Sequence, residues 1–163
     1  MRTDLEEVFR TAYPRVVAVA ARVLGSRHEA EDVAQEVFLT FGRSSVPAGE
    51  AAGWLTVAAA HTALNHLRAG RRRASREVVA AGEPVAAPDV ADTVVAAEER
   101  RRVRAALARL PRRQAVALVL RHSGLSYAEV AAALDLSPGS VGTTVRRAES
   151  ALRKELNRHA ASD

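Results

Sequence analysis

Leu125-Ser126-Tyr127-Ala128-Glu129-Val130-Ala131-Ala132-Ala133-Leu134-Asp135-Leu136-Ser137-Pro138-Gly139-Ser140-Val141-Gly142-Thr143-Thr144-Val145-Arg146-Arg147-Ala148 contains two short helical patterns separated by one tight turn. Ser126 caps the first, and Glu129 stands three residues on, where its carboxylate completes a capping box. Val130 and Leu134 face inward at helical spacing. Asp135-Leu136 forms the turn, with the Leu plugging the angle between the helices. Ser137 caps the second helix. Pro138 occupies its first position, where a missing N–H is harmless. Val141, Val145, Ala148 and Leu152 make its buried stripe. These are the features of a helix-turn-helix, and they leave Ser140, Thr143, Thr144, Arg146 and Arg147 outward near the start of the second helix. In such a motif that part of the helix enters the DNA major groove. Hydroxyls there can bond base edges or phosphates, and Arg can read guanine or grip phosphate.

Helical patterns continue upstream. Val94 to Arg109 reads as a helix ended by Pro111, and Arg112 to His122 as a second ended by Gly124. Near the N-terminus a helix is expected over Asp4 to Leu24, capped by Asp4 and kinked or split by Pro14. Ser26 opens the next, with Glu29 completing a capping box, and Gly42 closes it. Residues 43–50 are a loop by composition. A third helix runs from about Ala51 to Ala69 into Arg71-Arg72-Arg73. Residues 77–99 contain six acidic groups and no basic one, together with Gly82, Pro84 and Pro88. They read as an acidic, mobile linker between two helical domains. The expected fold is therefore all-α: one domain over residues 1–74, a linker over 75–99, and a helix-turn-helix domain over 100–160.

Charge supports a polyanion partner. The 163-residue chain carries a net +5, and the charge is segregated. Residues 1–60 hold six Arg and eight acidic groups, whereas residues 61–163 hold 18 basic and 11 acidic ones. Lys154 is the only Lys. Arg keeps its charge and forks onto phosphate. The chain has no Cys, which excludes disulfides, thiolate metal sites and a Cys nucleophile. It also lacks a His-Glu-x-x-His, a Gly-rich phosphate loop and a Gly-x-Ser-x-Gly. A non-enzymatic protein without cofactor or metal is expected. No apolar run approaches a membrane span, and no signal-peptide core stands at the N-terminus, so a cytoplasmic location without membrane insertion is expected.

The Leu125–Ala148 stretch, with Ala106-Leu107-Ala108-Arg109-Leu110-Pro111-Arg112-Arg113-Gln114 before it, resembles domain four of bacterial sigma factors, especially the small extracytoplasmic-function class. Ala30-Glu31-Asp32-Val33-Ala34-Gln35-Glu36-Val37-Phe38-Leu39 is similar to that family's domain-two signature. On a helix Asp32, Gln35, Glu36 and Leu39 share one exposed quadrant opposite Val33 and Val37. The resemblance implies that this face docks on the β′ coiled coil of core RNA polymerase, with the β subunit as a further contact. Gly53-Trp54-Leu55 and Ala63-Leu64-Asn65-His66-Leu67-Arg68 resemble the third domain-two helix, which captures an unstacked base of the −10 element. Carried over, the −10 contacts are Arg43 in the preceding loop, then His61, Asn65, Arg68, Arg71 and Arg72. Trp54 is expected in the core. The −35 contacts are Ser140, Thr143, Thr144, Arg146 and Arg147.

The chain departs from the family where Ala60-His61 stand in place of Arg-Asn, and at Gly142 and Thr144, where basic residues are common. The resemblance further implies promoter-specific transcription initiation, promoter DNA as a partner, and an anti-sigma factor that masks both domains, holding the protein near the membrane until it joins the nucleoid. The rival reading is a helix-turn-helix regulator that binds DNA without polymerase.

Overall fold

The computed structural model describes residues 2–76 and 90–161, and side chains within 2–70 and 94–158. All regular structure among the described residues is helical. The N-terminal unit is built from α1 (Leu5–Leu24), α2 (Arg27–Gly42) and α3 (Ala51–Arg76), with a 3-10 turn at Ala48–Glu50 leading into α3. The C-terminal unit comprises α4 (Val90–Arg109), α5 (Arg112–His122), α6 (Tyr127–Leu134) and α7 (Pro138–Ala161).

The first three helices pack on one another because each carries one apolar stripe. Val16 and Val23 of α1, Val33 and Phe41 of α2, and Leu55 and Leu64 of α3 are almost wholly buried. Burying each such side chain contributes about 1.5–3 kcal/mol. Ala59, Ala60 and Ala63 are fully buried and let α3 lie close to its neighbours. Trp54 is half-buried with its ring centroid 5.8 Å from that of Phe41, a core position as expected. Thr56, the one buried polar residue of this core among those described, donates its hydroxyl to the Ala52 carbonyl at 2.7 Å.

Two expectations about α1 need correction. Pro14 does not kink or split it: the helix runs unbroken through Pro14, whose ring lies on the exposed side. Asp4 makes no side-chain cap. Its carboxylate is instead held by the Arg2 guanidinium at 2.5 and 2.8 Å, and the same guanidinium stacks over the Phe41 ring at 4.1 Å. Arg2 thereby straps the N-terminus onto the end of α2. At the far end Gly25 takes φ +69° and returns its N–H to Ala21, the left-handed stop that glycine permits.

In the C-terminal unit α5 and α7 form the main contact, with α4 and α6 flanking them. Val116, Leu120, Val130 and Val141 are almost wholly buried at its centre. The linker expectation is corrected at its end: α4 begins at Val90, so residues 90–99 are helical rather than linker. Residues 77–89, the rest of that acidic stretch, lie outside the described residues. The two units pack together, chiefly through α3 against α4, α5 and α6, with α1 touching α5.

Candidate functional site

Three surfaces concentrate the polar groups singled out above. The first is on α2. Asp32, Gln35, Glu36 and Leu39 are exposed there, opposite the buried Val33 and Val37. Asp32 lies 3.9 Å from the His28 imidazole on its own helix, and Glu36 lies 3.0 Å from His66 of α3. Leu39 is 51% exposed, and it borders a groove of about 650 Å³ that runs between α1 and α2. Leu5, Phe9 and Phe38 supply its apolar lining, with Arg2, Glu6 and Gln35 as polar members. Phe9 and Phe38 meet edge to face at 5.0 Å, and the Tyr13 ring lies tilted against Phe9 at 4.6 Å. The face is thus carboxylate and amide on one side, open apolar surface on the other. That suits a partner helix with basic and apolar positions. Sequence reading found the polar half and missed the groove. Its signal was Phe9, a large apolar residue lying off the Val8-Ala12-Val16 stripe and 42% exposed.

The second surface is the helix-turn-helix of α6 and α7. The capping box at α6 is complete: Ser126 Oγ accepts from the Glu129 N–H, and the Glu129 carboxylate accepts from the Ser126 N–H. The Ser126 backbone N–H, and then its side chain, hold the Glu129 carboxyl below its ordinary pKa. Asp135 takes φ +54° and Leu136 donates its N–H to Ala131, so the turn closes over one left-handed residue. The start of α7 faces a recess of about 570 Å³ opposite the start of α5. Ser140, Thr143, Thr144 and Arg147 line it from α7, and Arg113 and Gln114 from α5. Arg146 diverges from Arg147. Its guanidinium lies over Gly142, 3.4 Å from where a Cβ would stand, with the Tyr127 ring 3.6 Å from the same point. The Thr144 hydroxyl donates to the Ser140 carbonyl at 3.0 Å. Arg113 and Gln114 were missed because their nearness to α7 is tertiary and has no sequence spacing.

The third surface is the face of α3 formed by His61, Asn65 and Arg68, one and two turns apart. It is covered. Arg112, the first residue of α5, points its guanidinium at His61 Nδ1, at 3.4 Å, and donates to the Asn65 side-chain carbonyl. Arg68 in turn donates to the Leu110 carbonyl at 2.6 Å. Burial, and then the Arg112 charge, hold the His61 imidazole below the usual histidine pKa.

Comparison with known proteins assigns both units. Residues 8–73 match the family described as Sigma-70 region 2, and residues 100–152 match Sigma-70, region 4. Over 151 residues the chain is 32% identical to the ECF RNA polymerase sigma factor SigK of Mycobacterium ulcerans, covering 88% of this chain and 80% of that one. The chain belongs to the extracytoplasmic-function sigma factors.

This sigma factor is likewise 32% identical over 165 residues to SigE of Mycolicibacterium smegmatis, covering 96% of this chain and 63% of that protein. Its fold is similar to that of the sigma factor RpoE from Bartonella quintana, solved in complex with the anti-sigma factor NepR. The TM-score is 0.53 at 21% identity, over 96% of this chain and 98% of that one. Family membership makes it a transcription initiation factor with two sigma domains, all-α throughout the described residues.

Of the residues expected at the −10 element, this sigma factor brings His61, Asn65 and Arg68 onto one face. Arg43 is exposed just beyond α2, in the loop that precedes α3. Arg71 and Arg72 are in the last turns of α3, and their side chains lie outside the described residues. Ala60 is fully buried, so of the Ala60-His61 departure only His61 can reach a ligand. Among the described residues no cluster of His, Asp and Glu could hold a metal ion, and no helix is long and apolar enough to cross a membrane.

Proposed function

We propose that the chain binds core RNA polymerase through α2 and directs promoter-specific initiation, with residues 1–74 opening the −10 element and residues 100–160 reading the −35 element. Asp32, Gln35, Glu36 and Leu39 dock on the β′ coiled coil. Leu5 and Phe9 extend that contact into the apolar groove, a surface continuous with Gln35 and Leu39. Arg43, Asn65 and His61 meet the unstacked −10 strand, with Arg68, Arg71 and Arg72 as phosphate clamps. Extruding a base costs a few kcal/mol of stacking, so clamps and a fitted pocket must offset it. Ser140, Thr143 and Arg147 line a recess open to the −35 major groove, and the positive end of the α7 dipole adds to their attraction for phosphate.

The observation that carries this reading is the coexistence, in one chain, of an acidic and apolar docking face on α2 with a complete helix-turn-helix. A regulator needing no polymerase has no use for the former. The RpoE–NepR complex supports an anti-sigma factor as a further partner, released when the protein moves to the nucleoid within the cytoplasm. The test is transcription by purified core polymerase on pooled genomic fragments of the host. Discrete transcripts that require this protein and vanish with Asp32→Arg support the reading. Sequence-specific duplex binding without any polymerase-dependent transcript would replace it with the regulator.

A further inference from the structure

The segment ahead of α1 meets the far end of α2, where the loop that precedes α3 begins. The Arg2 backbone N–H donates to the Gly42 carbonyl at 3.3 Å. The Arg2 guanidinium is held by the Asp4 carboxylate and lies over the Phe41 ring, 4.1 Å from its centroid. Only 17% of that side chain is exposed, so it faces the protein rather than solvent. Phe41 is fully buried, and its ring neighbours that of Trp54 on α3.

The loop hangs from the same two residues. Ser44 donates its N–H, at 2.9 Å, and its hydroxyl, at 2.7 Å, to the Phe41 carbonyl. The Val46 N–H reaches back to Ser44 Oγ at 3.4 Å, and Val46 packs against the core. Arg43, directly after Gly42, is exposed. Between Arg43 and Pro47 the loop has no regular structure, so its course depends on how its ends are held. A forked, stacked guanidinium fixes direction as well as distance. A loop already set in its bound course loses less entropy when a base enters it, which helps offset the cost of unstacking.

We propose that Arg2 is a positioning residue for the loop over residues 43–50. Clamped by Asp4 and stacked on Phe41, it presets the course of that loop for the unpaired −10 strand without touching DNA itself. This rests on the assignment of the loop to the −10 element.

The sign of the charge separates this role from direct contact. Removing a carboxylate from a DNA-binding protein ordinarily strengthens its hold on DNA, and removing a cation weakens it. Here Arg2→Gln and Asp4→Asn should act alike, because each releases the clamp. Arg2→Lys keeps the charge but loses the fork and the planar face, so it should not rescue. Holoenzymes would be assembled from core polymerase saturated with the parent or with each variant. Strand opening on a genomic fragment that the parent transcribes would be followed by permanganate oxidation of unpaired thymines. Each variant should need about tenfold more holoenzyme for half-maximal opening, the order of one charged hydrogen bond. In the free proteins, hydrogen exchange at the Ser44 and Val46 amides should quicken by about the same factor, with the buried amides of α1, α2 and α3 at parental rates.

Rescue by Arg2→Lys, with easier opening by Asp4→Asn, would overturn the proposal and make Arg2 a phosphate contact. Faster exchange with unchanged opening would overturn it too, since the course of the loop would then not matter to the strand. Unchanged exchange would overturn the clamp itself. Should circular dichroism show that Arg2→Gln does not fold, Asp4→Asn, which keeps the stack on Phe41, gives both readings. A parent that transcribes no fragment would overturn the −10 assignment and this proposal with it, while the exchange result would still read the clamp.

Discussion

His66 Nε2 on α3 lies 3.0 Å from Glu36 Oε2 on α2, so a residue of the proposed polymerase face is held from the neighbouring helix. Both side chains are partly exposed, and exposed pairs of this kind contribute only about 0–1 kcal/mol to stability. His66→Ala is therefore expected to leave the thermal midpoint nearly unchanged. Its effect should fall on polymerase affinity, a severalfold loss, because Glu36 is no longer oriented. Thermal unfolding and polymerase titration of the same variant separate the two effects.

The two sigma domains should separate on acidification. His61 has a folded-state pKa below its ordinary value of 6.5, lowered first by burial and then by Arg112. A base with a depressed pKa binds its proton less readily folded than unfolded. Its contribution is present above the unfolded pKa and lost as the pH falls through and below it. Scattering should show a compact molecule at neutral pH and expansion as the pH falls below 6.5. His61→Gln should remove most of that pH dependence.

The glycines give opposite results on one substitution. At Gly25, φ is +69°, a conformation that strains any side chain, and a Cβ would also displace the Arg104 guanidinium, so Gly25→Ala should destabilise by about 1 kcal/mol or more. Gly142 is inside α7, and its nearest neighbour is the flexible end of Arg146 at 3.4 Å. Gly142→Ala should stabilise by up to about 1 kcal/mol, the helix-propensity difference. Thermal unfolding of both variants reads the contrast.

Loss of the Ser126 cap should loosen the helix-turn-helix. Ser126→Ala removes the acceptor for the Glu129 N–H and is expected to cost about 1 kcal/mol. The Glu129 carboxyl, held low by its hydrogen bonds to Ser126, contributes above its unfolded pKa and loses that contribution as the pH falls through the folded value. Ser126→Ala keeps the backbone N–H that is the larger cause, so both proteins should lose stability in acid, whereas Glu129→Gln should remove that pH dependence.

Local chemistry made much of this fold legible. Gly25, Gly124, Pro111 and the capping box at Ser126 mark helix ends through rules that act within one turn, and the ends lie where those rules place them. Pro14 misled because its missing hydrogen bond and ring fall on the solvent side, where tertiary packing of α1 on α2 and α3 carries the helix through. Asp4 misled because Arg2, two residues away, competes for its carboxylate. The onset of α4 was placed late because acidic composition reads as linker whether or not the chain is helical. Exposure of Asp32, Gln35, Glu36 and Leu39 followed from helical period alone. What period could not give was contact across distant sequence: Phe9 beside Leu39, Arg113 and Gln114 facing α7, and above all Arg112 on His61, 51 residues apart.

Core-polymerase affinity tests the central claim most directly. Fluorescently labelled parent protein, Glu36→Arg and Leu39→Ala would be titrated with purified bacterial core polymerase, with the folding of each variant checked by circular dichroism. Tight binding by the parent, a loss of roughly a hundredfold or more in Glu36→Arg from charge reversal in a docked face, and a smaller loss in Leu39→Ala are the expected results. Equal affinity for all three proteins, or no binding by the parent, would contradict the assignment of α2 as the polymerase-docking face.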